Sequence, residues 1–181
     1  MNESLDEIKK PLELPVKLRT AFPGDDLHLG NFLVGIFRDT WRLRIPNLIS
    51  YVDREIDLRD VHSRRSQGIV RIMELGERMV GTYSLIAPGT ALDESWRENS
   101  ATLLCLGVDK TFHSVKLMEK LLMDAVQQAR LWKIRGICLH IKGGMVQAAN
   151  IHTSFGFRRD ERGDKLVYGT IMEGYCLRLG H

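Results

Sequence analysis

The sequence has no long apolar run, few cysteines, few aromatic residues and no marked excess of either charge. Its longest apolar stretches, such as Ala101–Val108, fall far short of the roughly 18 residues that a membrane span needs, so no membrane association is expected. The first residues, MNESLDEIKKPLELP, lack the apolar core of a secretory signal. Aromatic residues make up 7% and are not interleaved with basic clusters, which gives no basis for nucleic-acid binding. The charge is nearly balanced, Lys+Arg 26 against Asp+Glu 23. A net charge of +3 suits an anionic ligand and falls short of a nucleic-acid footprint. The three cysteines, Cys105, Cys138 and Cys176, form an odd set without CxxC spacing. They read as buried thiols in a reducing compartment, so a cytoplasmic protein is expected. No HExxH or comparable spacing joins His62, His113, His140 and His152, so no metal site is expected.

What is present, 181 residues with 44% hydrophobic and 27% charged, is enough for one domain with a substantial core. Residues 1–14 are polar, are followed by Pro15 and read as a flexible N-terminal arm; residues 15–181 read as a single domain. Val16–Ala21 reads as a strand. The turn Pro23-Gly24-Asp25-Asp26 follows, with Asp25 or Asp26 placed to cap the next helix. Leu29, Phe32, Leu33, Ile36, Phe37 and Trp41 keep the 3.6-residue period of that helix. A second helix follows Pro46 on Leu48, Ile49, Val52 and Ile56, and the mixed charges of Asp53–Arg65 read as a solvated face or loop. Ile69–Leu75 and Met79–Ile86 form a hairpin about Gly76-Glu77-Arg78. Residues 87–100 are polar and read as a loop. Ala101–Val108 has the continuous apolar pattern of a strand covered on both faces. Val115–Trp132 is the clearest amphipathic helix. Ile134–Ile141 is a second buried strand, Val146–Phe155 a short helix, and Leu166–Met172 with Tyr175–Leu179 closing strands. This order predicts an α/β fold of the α+β type: a central, mixed, mostly antiparallel sheet with a parallel strand–helix–strand core and helices on both faces.

The central unit resembles the GNAT superfamily of N-acetyltransferases. Leu106-Gly107-Val108 and Phe112 match that family's apolar strand end and the aromatic after it, and Leu121-Leu122 matches the leucine pair of its long helix. Leu139 and Ile141 match its second strand. Ala148 with Phe155-Gly156-Phe157 matches A-x-x-x-Y-x-x-x-G-F, and Leu18-Arg19-Thr20-Ala21 with Asp26-Leu27 looks like the opening I-R-x-A-x-x-x-D. The hairpin residues Glu74–Gly81 are also typical of the family. The resemblance covers roughly residues 16–172.

The resemblance implies an N-acyltransferase, most simply one that moves acetyl from acetyl-CoA or another acyl-CoA to a primary amine by direct attack on the thioester. The family's R-x-x-G-x-G turn, which holds the diphosphate, falls on His113, Ser114, Val115, Lys116, Leu117 and Met118; with Leu106, Gly107 and Val108 of the preceding strand these are the implied cofactor-binding residues. Both glycines are absent here, replaced by Lys116 and Met118, while the helix amides and two basic side chains remain. The family's tyrosine, a proton donor to the leaving thiolate, falls on His152, which can serve as general acid near neutral pH. Candidates for the general base are Glu74, His140 and Glu173, with Glu74 on the hairpin taken first. Two further readings stay open: a donor that is an acyl carrier protein or a longer acyl-CoA, and a non-catalytic GNAT-like binding or regulatory module. The acceptor implied is a small-molecule or peptide amine. Arg42, Arg44, Arg54, Arg59, Arg64 and Arg65 suggest either a carboxylate-bearing acceptor, such as an amino acid, or a solvated face. A homodimer is also consistent with exposed closing strands.

Overall fold

A computed structural model describes residues 15–42, 48–112, 115–167 and 169–180, with no side-chain description for 39–42 and 48–52. The expected arm at 1–14 lies outside the described residues, as do His113, Ser114 and Arg44.

β1 (Val16–Thr20) leads through a 3-10 turn at Pro23–Asp25 into α1 (Asp26–Arg42). Asp25 does not cap α1 with its side chain. Its carboxylate accepts the Phe22 N–H at 2.9 Å and both arms of Arg19, at 2.7 and 2.9 Å, and so ties the turn to β1. α2 (Leu48–Arg59) and α3 (Val61–Ser66) follow. The hairpin pairs β2 (Gly68–Leu75) with β3 (Arg78–Ile86). Next come β4 (Ser100–Val108), α4 (Val115–Leu131), β5 (Gly136–Lys142) and α5 (Val146–Phe155), the last with the bounds expected from its period. The chain ends in two short strands, β6 (Arg158–Arg159) and β7 (Lys165–Val167), and the long β8 (Thr170–Arg178).

The sheet runs β1-β2-β3-β4-β5-β8, with β6 and β7 both on the outer edge of β8. Among the described residues only β4 and β5 pair in parallel, and every other pairing is antiparallel. The mixed sheet and the parallel strand–helix–strand core are therefore as expected. α1, α2 and α3 cover one face, where Leu29, Leu33, Val61, Val70 and Ile72 are fully buried. α4 and α5 cover the other, with Leu121, Leu122, Leu85, Ile137 and Phe157. Each such side chain contributes about 1.5–3 kcal/mol relative to exposure. β5 shows the alternation that places the site: Ile137, Leu139 and Ile141 belong to the α4–α5 core, so Cys138 and His140 point to the opposite face.

Three expectations are corrected. The closing segment is not a strand over Leu166–Met172, because the chain reverses between Val167 and Thr170, with Gly169 at φ 74°, and β8 begins at Thr170. The charged stretch Asp53–Arg65 is not a loop or a merely solvated face. It is helical, and Arg64 is 4% exposed. Nor are all three cysteines free thiols. Cys138 and Cys176 are register partners on β5 and β8 with Cα atoms 4.3 Å apart, and they form a disulfide; Cys105 alone is free. The pair is made by antiparallel register rather than sequence spacing, so the inference of a reducing compartment from free thiols loses its basis. Among the described residues no helix is long and apolar enough to cross a membrane, and no group of side chains could hold a metal ion.

Candidate functional site

The two central strands form a fork. β4 and β5 are hydrogen-bonded only over Ser100–Thr102 and Gly136–Cys138. Beyond that point they part, and Leu103–Leu106 and Leu139–Lys142 line opposite walls of a cavity of about 440 Å³. The local cause is a bulge in β4. Thr82 pairs with Gly107 and Ser84 with Leu104, so Cys105 and Leu106 together oppose Tyr83, and Cys105 takes φ 52°. A side chain in this left-handed region costs on the order of 1–3 kcal/mol, a strain the flanking register maintains. Past Thr102 the edge of β4 turned towards β5 has no partner strand among the described residues, so its backbone N–H groups are open to the cavity.

α4 is aimed at this fork by a buried ion pair. Asp124 accepts Arg71 Nε at 2.8 Å and Nη2 at 3.1 Å, and also the Tyr83 hydroxyl at 2.6 Å. Burial, with Asp124 alongside, pushes the Tyr83 phenol far above its ordinary range, so it stays a donor. Of the expected cofactor-binding residues, Val115 and Lys116 are exposed in the first turn of α4, Leu117 is buried in the core at 6%, and Met118 packs partly against it. Leu117 therefore offers only its backbone. The amides of Val115–Leu117 belong to the first turn of the helix, where backbone N–H groups have no intrahelical acceptor. Met118 does not line the cavity, so the fork is not plugged by it. Leu106 lines the cavity, and Val108 is half-buried against the core. Gly107 serves packing instead: a Cβ there would lie 2.4 Å from Ile36 Cδ1 of α1.

His152 reaches the cavity from α5 at 8% exposure. Its Nδ1–H donates to the Ala148 carbonyl at 2.8 Å, and its ring stands edge-on to Phe157 at 5.6 Å. Burial lowers its pKa below the ordinary value, so the resting ring is neutral, with a lone pair on Nε2. To act as an acid it must first take up a proton at Nε2. Glu74 is not brought to the site. It bonds Arg19 at 2.8 Å beside β1 and lies off the cavity. Glu173 accepts the Tyr175 hydroxyl at 3.0 Å and is likewise absent from the cavity wall.

On the face covered by α1–α3 the cavity meets Arg54, Asp57, Asp60 and Arg64, the stretch expected to be solvated. Arg64 donates to the Asp57 and Leu58 carbonyls at 2.5 and 2.8 Å, satisfying the last turn of α2 and fixing α3 against it. Arg59 donates to Asn31, and Arg65 pairs with Asp26 at 2.9 Å. Each of these three arginines thus has a partner within the fold, and Arg64 also lines the cavity.

The loop 87–99 completes the wall, and nothing in its composition marked it. Asp93 accepts the Gly89 and Ser95 amides and the Thr102 hydroxyl, while the Glu94 amide donates to the same hydroxyl at 2.8 Å. Thr102 is the last β4 residue paired with β5, so Glu94 is anchored at the apex of the fork. Trp96 Nε1–H donates to Asp160 at 2.9 Å, and its ring lies 5.0 Å from that of His140. Gly163 and Gly174 make room for the indole; a Cβ on either would come within 2.2 and 2.8 Å of it.

No protein-family model matches the sequence, and no curated protein matches it. Solved structures do. A GNAT-family acetyltransferase from Staphylococcus aureus Mu50 is 22% identical with a TM-score of 0.70, over 91% of this chain and 99% of that one. An acetyltransferase from Salmonella typhimurium, solved with its cofactor acetyl-CoA, is 15% identical with a TM-score of 0.61, over 92% and 95%. A ribosomal-protein-alanine N-acetyltransferase from Brucella melitensis is 20% identical with a TM-score of 0.61, over 90% and 99%. The chain has the fold of the GNAT acetyltransferases.

Proposed function

We propose that the chain is an acyl-CoA-dependent N-acyltransferase, in its simplest form moving acetyl from acetyl-CoA to a primary amine. The observation that carries this reading is the open β4–β5 fork, whose cavity joins a strand edge with unpaired amides to the wall formed by α2 and α3. The cosubstrate fits the residues present. The first-turn amides of α4 and the exposed Lys116 suit a diphosphate, because the helix dipole and orphan N–H groups favour anions there. The β4 edge suits an amide-bearing arm laid along it as an added strand.

Bound acyl-CoA supplies an activated carbonyl and a thiolate leaving group. The chain does the rest. Backbone N–H groups of β4 are positioned to orient the thioester carbonyl and stabilise negative charge developing on its oxygen. His152 Nε2, the one free nitrogen of that ring, takes up a proton and passes it to the departing sulfur. The amine enters from the α2–α3 side, opposite α4 and α5. The Salmonella typhimurium protein of this fold, solved with its cofactor acetyl-CoA, supports the donor half of this reading.

Thermal unfolding with and without acetyl-CoA tests it first. A ligand that binds only the folded state at 100 times its Kd adds about 2.7 kcal/mol and raises the Tm. Thiol release from acetyl-CoA across a panel of alkyl-, aryl- and amino-acid amines then identifies the acceptor class. No rise in Tm and no thiol release would leave a binding module with this fold.

A further inference from the structure

The face of the fork opposite His152 carries a proton acceptor with an open valence. His140 lines the cavity from β5 with its side chain only 6% exposed. Its Nε2 lies 2.9 Å from the Gly163 carbonyl, which can only accept, so Nε2 carries the hydrogen and Nδ1 the lone pair in the neutral ring. Nδ1 is buried and has no hydrogen-bond partner among the described residues. It faces Glu94 Oε2 at 3.6 Å, and the Lys165 ammonium pairs with that same oxygen without satisfying Nδ1. Glu94 itself is 44% exposed and is anchored by its backbone at the fork's apex, which leaves its carboxylate open to the cavity as well as to Lys165.

Resting on the acyltransferase reading, we propose that Glu94 and His140 are the proton-accepting pair for the acceptor amine, with Glu94 touching the ammonium and His140 Nδ1 holding the proton behind it. The unpartnered Nδ1 beside a half-exposed carboxylate suits a further N–H donor, which an incoming ammonium is. Its first proton passes to Glu94 and on to Nδ1, leaving an imidazolium beside a carboxylate and a neutral amine. The amine nitrogen then attacks the thioester carbon. The new C–N bond forms, the C–S bond breaks with its electron pair on sulfur, and the second N–H proton ends on that sulfur as a thiol. The imidazolium returns its proton to solvent through Glu94. The groups facing His140 are Glu94 from the loop, Lys165 and Asp164 from the start of β7, and the Gly163 carbonyl and Trp96 ring, neither of which titrates. Burial, with Lys165 adding to it, lowers the His140 pKa below the ordinary value, which keeps Nδ1 ready to accept.

The test pairs His140→Gln, which keeps an N–H towards Gly163 but removes the titrating lone pair, with Glu94→Gln. Acetyl-CoA affinity is read by calorimetry, and the pH profile of kcat/KM is read with the amine that turns over best. Expected are a fall of about 100-fold in kcat/KM in each variant, loss of an acid limb that lies below the ordinary histidine value of 6.5, and unchanged acetyl-CoA affinity. Side-chain nitrogen NMR of the intact chain gives a second measure that needs no variant: at pH 7.5 His140 shows a protonated Nε2 and an unprotonated Nδ1. Wild-type turnover with an acid limb that survives in both variants overturns the assignment while the acyltransferase reading stands, as does a protonated Nδ1. Failure of the wild type to bind acetyl-CoA overturns that reading, and this one with it.

Discussion

Asp124 on α4 receives a two-pronged hydrogen bond from Arg71 on β2, at 2.8 and 3.1 Å, with both side chains largely buried. This pair ties α4 to β2 beside the apolar stripe of Leu117, Leu121, Leu122, Ala125 and Ala129 that packs on the sheet. Removing one partner of a buried ion pair strands the other charge, so Asp124→Ala is expected to cost about 3–5 kcal/mol in urea unfolding. A cost under about 1 kcal/mol would mean that the pair does not hold the helix.

The Trp96–Gly163 contact ties the loop that carries Glu94 to the closing strands. Gly163→Ala puts a methyl group within 2.2 Å of the indole and must push it outward. The expected result is a red-shifted tryptophan emission and a loss of about 1–3 kcal/mol of stability. An unchanged spectrum would contradict the packing described.

Much of this was legible locally and much was not. The periods of α4 and α5, the hairpin turn and the two apolar strands are patterns within a dozen or so residues, and each became the element it suggested. The Arg71–Asp124 pair spans 53 residues and the Cys138–Cys176 disulfide 38, and both arise from strand register, which no single stretch encodes. The β4 bulge falls on Cys105 rather than a glycine, so it carries no compositional mark. Glu94 sits in a polar loop, and only the Thr102 anchor turns it towards His140. Asp53–Arg65 misled because mixed charge is as good a cavity wall as it is a solvated face.

Stability should fall steadily on acidification. The two cavity histidines have lowered pKa values in the fold, so the unfolded chain takes up protons first, near its ordinary value of 6.5, and stability declines from there downward. Asp25, held down by the Arg19 hydrogen bond, and Asp160, held down by Arg162, stay ionised in the fold below the ordinary carboxylate range. Their contribution is complete above about pH 5 and disappears as pH drops through the folded values. Urea unfolding across pH 3–8 is expected to show a monotonic decline. A maximum below pH 5 would contradict these signs.

His152→Phe keeps the ring volume beside Phe157 but removes the exchangeable nitrogen. The expected outcome is a kcat about 100-fold lower with acetyl-CoA affinity within about twofold of wild type. Unchanged kcat would remove the histidine from proton transfer to the sulfur.

The central claim is that the parted strands β4 and β5 accept an acyl-CoA although the phosphate turn has lost its glycines. Calorimetric titration of acetyl-CoA into the intact chain measures this directly. One saturable site per chain, weakened by Lys116→Ala and abolished when Leu106→Trp fills the fork, is the expected result. A flat titration at millimolar acetyl-CoA would contradict it.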